Sequence, residues 1–82
     1  MITTTEQIYE FVEQLQHGAR EHGYDDIAER LDDAMHLGSS GLEILGAIRS
    51  VLQDEKQRLQ KITENQKIEG AIAFVDKSFG RT

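Results

Sequence analysis

The sequence predicts an all-α fold: a small three- to four-helix up-down bundle with a long third helix. Three observations carry this. None of the 82 residues is proline, so the residue most hostile to a helix interior is missing throughout. Apolar residues recur at three- and four-residue steps through most of the chain, the period of a helix that buries one face. Capping residues (Thr, Asp or Ser) stand before the first three of these stretches, and glycine follows the first two, marking starts and stops.

The first helix is expected over residues 4–21. Thr3 with Glu6 three residues on offers a capping box, in which the hydroxyl takes a backbone N–H and the carboxylate reaches back to the cap. Ile8, Phe11, Val12, Leu15 and Ala19 form the apolar stripe, with Glu6, Glu10 and Glu13 on another face. Gly23 is the stop, because glycine tolerates the left-handed conformation that ends helices. Asp25 and Asp26 are the next caps, with Glu29 three after Asp26, and both aspartates suit the positive end of the helix dipole. Ile27, Ala28, Leu31, Ala34 and Met35 make the second stripe, Leu37 closes it, and Gly38 ends it.

Ser40-Gly41-Leu42-Glu43 is a second capping box. It opens the third helix, whose stripe is Leu42, Leu45, Ile48, Leu52, Leu59 and Ile62, flanked by Ile44 and Val51. Gly46, Ala47 and Ser50 allow a neighbouring helix to approach. Extended over residues 41–64, this helix is about 36 Å long, against about 18 Å for the second. The second cannot cover the third. A fourth helix folding back would cover the overhang, and so would a homodimer.

The C-terminal stripe, Ile68, Ala71, Ile72, Val75 and Phe79, is out of phase with the third. At about 100° per residue, the two stripes point roughly 160° apart. A break near Glu64-Asn65-Gln66-Lys67 resolves the conflict and gives a fourth helix near residues 67–79; Gly70 adds modest support. The alternative is a continuous helix whose far end packs on another molecule. The expected core is Ile8, Phe11, Val12, Leu15, Ile27, Leu31, Met35, Leu45, Ile48, Leu52 and Ile72 or Val75.

One domain spans residues 1–82, near the small end of chains that fold alone; such a chain buries roughly 60% of its extended surface. There is no cysteine, which excludes disulfides and Cys-based zinc sites. The N-terminus has no basic start and no apolar segment of the kind a signal peptide carries, and no run approaches the roughly 20 apolar residues of a membrane span. The expectation is a cytoplasmic protein with no membrane partner.

The net charge is −6, unevenly placed. Residues 1–40 hold nine acids against Arg20 and Arg30; residues 41–82 hold six acids against seven bases. An acidic half repels phosphate backbones and attracts basic partners. A helix-turn-helix reading of the second and third helices fails on the same ground. Arg49 is the one base before Lys56, where a groove-reading helix needs polar and basic side chains. No nucleic-acid partner is expected.

Candidate chemistry is sparse. His17, His22 and His36 do not have the HExxH spacing, and a metal needs three or four convergent ligands. Asp32-Asp33 lacks the spacing of a calcium loop. Ser39 and Ser40 have no base or oxyanion site nearby, so neither reads as a nucleophile. The loop from Gly38 to Gly41 could cradle a phosphate at a helix N-terminus, but it has no lysine and follows an acidic helix. No cofactor, metal or catalytic residue is expected.

Leu37-Gly38-Ser39-Ser40-Gly41-Leu42-Glu43 resembles the Leu-Gly-x-Asp-Ser-Leu-Asp motif of acyl and peptidyl carrier proteins, to which the chain is also similar in length, acidity and helical content. In that family the serine carries phosphopantetheine at the start of a long helix. Here Gly41 aligns with that serine and Ser40 with the aspartate before it. Only a one-residue shift makes Ser40 the attachment site. Ala28-Glu29-Arg30-Leu31-Asp32-Asp33-Ala34, followed by Gly38-Ser39-Ser40-Gly41-Leu42-Glu43-Ile44-Leu45 and Ile48-Arg49, is similar to a pattern in short bacterial helical proteins. That resemblance spans about a quarter of the chain and implies a bacterial origin and no particular activity. Small acidic helical proteins of bacteria include immunity proteins and antitoxins, an analogy of size and charge. The expected function is therefore non-catalytic binding of a basic protein partner, through Asp25, Glu29 and Asp32 on one face of the second helix. The alternatives are a carrier-like protein modified at Ser40 and a structural homodimer.

Overall fold

The computed structural model describes residues 2–37 and 40–80, which are helical with no strand among them. The helices are α1 (Thr5–Glu21), α2 (Asp25–Met35), α3 (Gly41–Asp54), the single turn α4 (Lys56–Leu59) and α5 (Asn65–Ser78). No helix of the described chain is long and apolar enough to cross a membrane.

The first cap lies one residue beyond the expected Thr3–Glu6 box. Thr4, in extended backbone, accepts the Gln7 N–H, and the Gln7 side chain accepts from the Thr4 backbone. Gln7 Oε1 also takes the Thr3 N–H at 2.6 Å. One amide oxygen thus takes three donors at the chain entry, the Thr3 hydroxyl included, which leaves Glu6 as a first-turn acid beside the positive helix end.

Gly23 does stop α1, with φ +80°. Its N–H bonds to Arg20 O and the Tyr24 N–H to Ala19 O, the paired bonds of a glycine-terminated helix. This ending holds Tyr24 directly against α1, so α2 begins at the very next residue. Tyr24 occupies the cap position and makes no side-chain capping bond. Asp25 and Asp26 are therefore not caps, as the sequence suggested; they are first-turn acids, placed to favour the dipole. Gly38, the expected stop of α2, and Ser39 lie outside the described residues.

Ser40 caps α3 as expected, accepting the Glu43 N–H at 3.2 Å. Among the described residues only the serine's half of that box forms. The long third helix does not form. α3 has 14 residues and ends at Glu55, where φ −105° and ψ 15° leave the helical region. The bend sends the chain through α4 and a run of turns across the ends of α1 and α2. There Leu59 is fully buried, and Ile62 meets Gly18 of α1. Glu64, in extended backbone, then starts α5. The break near Glu64 is present and the continuous helix is not; a second break at Glu55 precedes it.

α5 folds back along α3. Gly46 meets Phe79, Arg49 pairs with Asp76, and Lys56 pairs with Glu69. The residue numbers fall on one helix as they rise on the other, so the two run antiparallel. This places Ile68, Ala71 and Val75 in the core with Leu45, Ile48, Val51 and Leu52, while Ile72 is only partly buried. From the first half the core takes Ile8, Phe11, Val12, Leu15, Ala19, Ile27, Ala28, Leu31 and Ala34.

One expected core position, and two stripe residues outside that expected core, differ. Met35 packs on the core from its edge. Leu42 is 50% exposed and Leu37 66%. Leu42 has the right helical phase but stands in the first turn of α3, one turn before Gly46, where Phe79 of α5 packs.

Candidate functional site

All five acids of α2 (Asp25, Asp26, Glu29, Asp32 and Asp33) lie off its buried stripe, and they differ in what they meet. Asp25, Glu29 and Asp32 lie on the side away from the buried Ile27, Ala28 and Leu31, at about 100° per residue. All three are exposed. Among the described residues, Asp25 and Glu29 bond to no cationic side chain, and Asp32 meets only the His36 ring, at 3.7 Å. The structure brings the three together on one face, as the spacing predicts, and that face is open.

Asp26 also points outward, about 60° round from Glu29, but is consumed internally. Both guanidinium ends of Arg58 donate to its carboxylate, at 2.8 and 3.2 Å. Arg58 also donates to Glu55 at 2.6 and 3.0 Å. Arg30, further along α2, donates to Glu55 at 2.8 Å and to Asp54 at 3.1 Å. The five side chains form one network joining α2 to the bend between α3 and α4. The Arg58 guanidinium also lies 5.3 Å over the Tyr24 ring, where the ring's negative face attracts it, and Tyr24 in turn stacks on His22.

The electrostatics follow from these bonds. The hydrogen bonds from Arg58 hold the Asp26 carboxyl below its ordinary range. Asp26 first, then Glu55, raises the Arg58 guanidinium, and Asp54, then Glu55, raises Arg30. Across the molecule, Lys56 holds Glu69 below the usual glutamate range. None of these groups is deeply buried, so solvent screens each of these surface ion pairs.

Ser40 is exposed, with its hydroxyl engaged as the α3 cap. The histidines have local partners: His17 meets Glu21 at 2.8 Å, His22 Nδ1 stands 2.9 Å from Gly18 O, and His36 Nδ1 stands 2.8 Å from Asp32 O. Among the described residues no three His, Asp or Glu side chains converge as metal ligands would.

A second feature escaped the sequence reading. α1 packs on α2, α2 on α3 and α3 on α5, but α5 does not close tightly on α1. The seam is an open groove of about 1160 Å³. Phe11, Gly70, Ala73 and Phe74 line its apolar part, Glu10 lies on the α1 wall, and Lys67 and Lys77 lie on the α5 wall. The clue was the periodicity of Lys67, Gly70, Phe74 and Lys77, a mixed face on α5 beside its buried stripe. Nothing in the sequence showed that α1 would stand opposite.

No family model matches the chain, and neither a curated protein nor a solved structure is similar to it at a significant level.

Proposed function

We propose that this chain is a non-catalytic binding module, acting in the cytoplasm as an immunity protein, antitoxin or regulatory protein does, and that it holds a basic protein partner on the outer face of α2. One observation carries the reading. Of the α2 acids, Asp26 is spent on Arg58, whereas Asp25, Glu29 and Asp32 stand exposed with no Lys or Arg among the described residues bonded to them. Unpaired like charges on one rigid face raise the local potential and steer an oppositely charged partner. The face is held rigid because the Arg30 and Arg58 network fixes the other flank of the same helix. The bundle that presents it is read as up-down, from the short connections between its first three helices.

The test is affinity capture from the native host with the wild-type chain and with the triple variant Asp25→Lys, Glu29→Lys, Asp32→Lys, each at low and high salt. The expected result is a basic partner retained by the wild type, weakened by salt and lost with the variant. A partner held equally well by the folded variant, or without salt dependence, refutes the acidic-face reading.

A further inference from the structure

We propose that the groove between α1 and α5 is the face through which two copies of this chain pair, α1 of each copy lying over α5 of the other.

The groove parts two helices that would otherwise complete the bundle. Of its apolar lining, Ala73 is exposed and Phe74 half-buried, over a floor that includes the buried Phe11. Gly70 sits among these residues. A side chain placed there would meet nothing within 4 Å, so the fold of the single chain gives no reason for a glycine that costs a helix interior about 1 kcal/mol. A backbone approaching from outside would supply one.

The charge pattern says what approaches. The α1 wall carries Glu10; the α5 wall carries Lys67 and Lys77, with Glu64 at its N-terminal end, and all four are exposed. Among the described residues none of the four takes part in an ion pair. A uniformly acidic or basic occupant would be repelled by one wall. A second copy turned about a two-fold axis along the groove sets its acidic wall on this basic wall and the reverse, so both seams are favourable. A two-fold axis across the groove would oppose acid to acid. The charge pattern therefore selects both the partner and the axis.

The size is sufficient for a weak pair. The α5 wall from Gln66 to Ser78 is about 18 Å long, and two adjacent helices are about 20 Å across. Such a face covers about 360 Å² per copy, or about 700 Å² in total, short of the roughly 1,000 Å² of a stable interface and in the range of a transient one. The pairing is thus concentration-dependent. It is independent of the α2 face, which lies outside the groove.

The test is light scattering or sedimentation from about 1 µM to about 1 mM, where an interface of this size associates. The wild-type mass is expected to rise toward twice the monomer value. One variant, Glu10→Lys, makes the α1 wall basic like the α5 wall; a second, Lys67→Glu with Lys77→Glu, makes both acidic. Each alone should remain monomeric over the whole range. Mixed in equal amounts they should pair, because both seams of the mixed dimer are then complementary. A wild-type chain that stays monomeric at every concentration overturns the proposal, leaving the groove to another partner. So does either variant that pairs alone as the wild type does, or a mixture of the two that remains monomeric.

Discussion

Gly18 makes the sharpest test of the packing. It lies inside α1, where replacing glycine by alanine ordinarily stabilises a helix by about 1 kcal/mol. Here a Cβ would stand well under 3.0 Å from Ile62 Cγ2, with Ile62 Cβ itself at 3.8 Å. Carbon atoms settle at about 3.5–4.0 Å, so the methyl group must withdraw by about 1 Å. It cannot do so by a freely rotating tip. Cγ2 is bonded directly to Cβ, and a β-branched side chain is stiff at χ1. Either the rotamer changes or the turn between α4 and α5 moves, an overpacking cost of about 1–3 kcal/mol. Set against the helix gain, Gly18→Ala should lower stability by up to about 2 kcal/mol.

Two controls isolate the cause. Gly70→Ala, where a Cβ meets open space, should raise stability by about 0.5–1 kcal/mol in dilute protein. In an Ile62→Ala background, Gly18→Ala should stabilise by a similar amount, because the obstructing methyl is gone. The coupling between the two sites is then about 1–3 kcal/mol. Urea denaturation followed by circular dichroism measures all four corners of the cycle, and a change of about 1 kcal/mol shifts Tm by about 4–8 °C in a domain of this size. If Gly18→Ala stabilises the native chain as much as Gly70→Ala does, or if its effect is the same in the native chain and in the Ile62→Ala background, the close approach of α1 to this turn is wrong.

Ser40→Ala should cost about 1 kcal/mol through loss of the α3 cap, whereas Ser40→Asp, which keeps an acceptor for the Glu43 N–H, should leave Tm nearly unchanged; equal losses would show that the hydroxyl is not acting as a cap. Asp26 and Glu69 have folded pKa values below their unfolded ones. Their contribution is therefore complete above the unfolded carboxylate range of about 4 and is lost as pH falls through the lower folded values. The Tm gap between the wild type and the Asp26→Asn, Glu69→Gln variant should accordingly be constant near neutrality and close below about pH 4, and a gap that persists to about pH 2 contradicts the assignment of these two pairs.

What was legible in the sequence is what local chemistry decides. The stripes of α1 and α2, the Gly23 stop, the Ser40 cap and the phase conflict that separates α5 all depend on residues within a turn or two of each other. What was not legible depends on partners distant in sequence. Gln53, Glu55, Lys56 and Arg58 are good helix formers, so local propensity argues for a third helix continuing past Asp54. The chain bends at Glu55, where Arg30 of α2 and Arg58 of α4 both grip that carboxylate. The bend also buries Leu59 and brings Ile62 to Gly18. Tertiary contacts override propensity there. The role of Gly18 was hidden for the same reason: its crowding neighbour is 44 positions away (62 − 18).

The charge asymmetry between the halves takes a different meaning once the pairs are known. Asp26 of the acidic half is neutralised by Arg58 of the other half, and Arg30 of the acidic half serves Asp54 and Glu55. The imbalance is therefore not one diffuse acidic surface. It resolves into an outward acidic face on α2, an acidic edge on α1 and a basic edge on α5, each on its own helix. Asp25, Glu29 and Asp32 are not among the residues of the groove, so a basic partner on α2 and a second copy on the groove would not compete for the same side chains. Charge reversal on α2 should leave self-association intact, and charge reversal on the groove walls should leave capture of the basic partner intact. If either set of substitutions abolished both behaviours, the division into separate faces would fail, and a single shared surface would have to account for both.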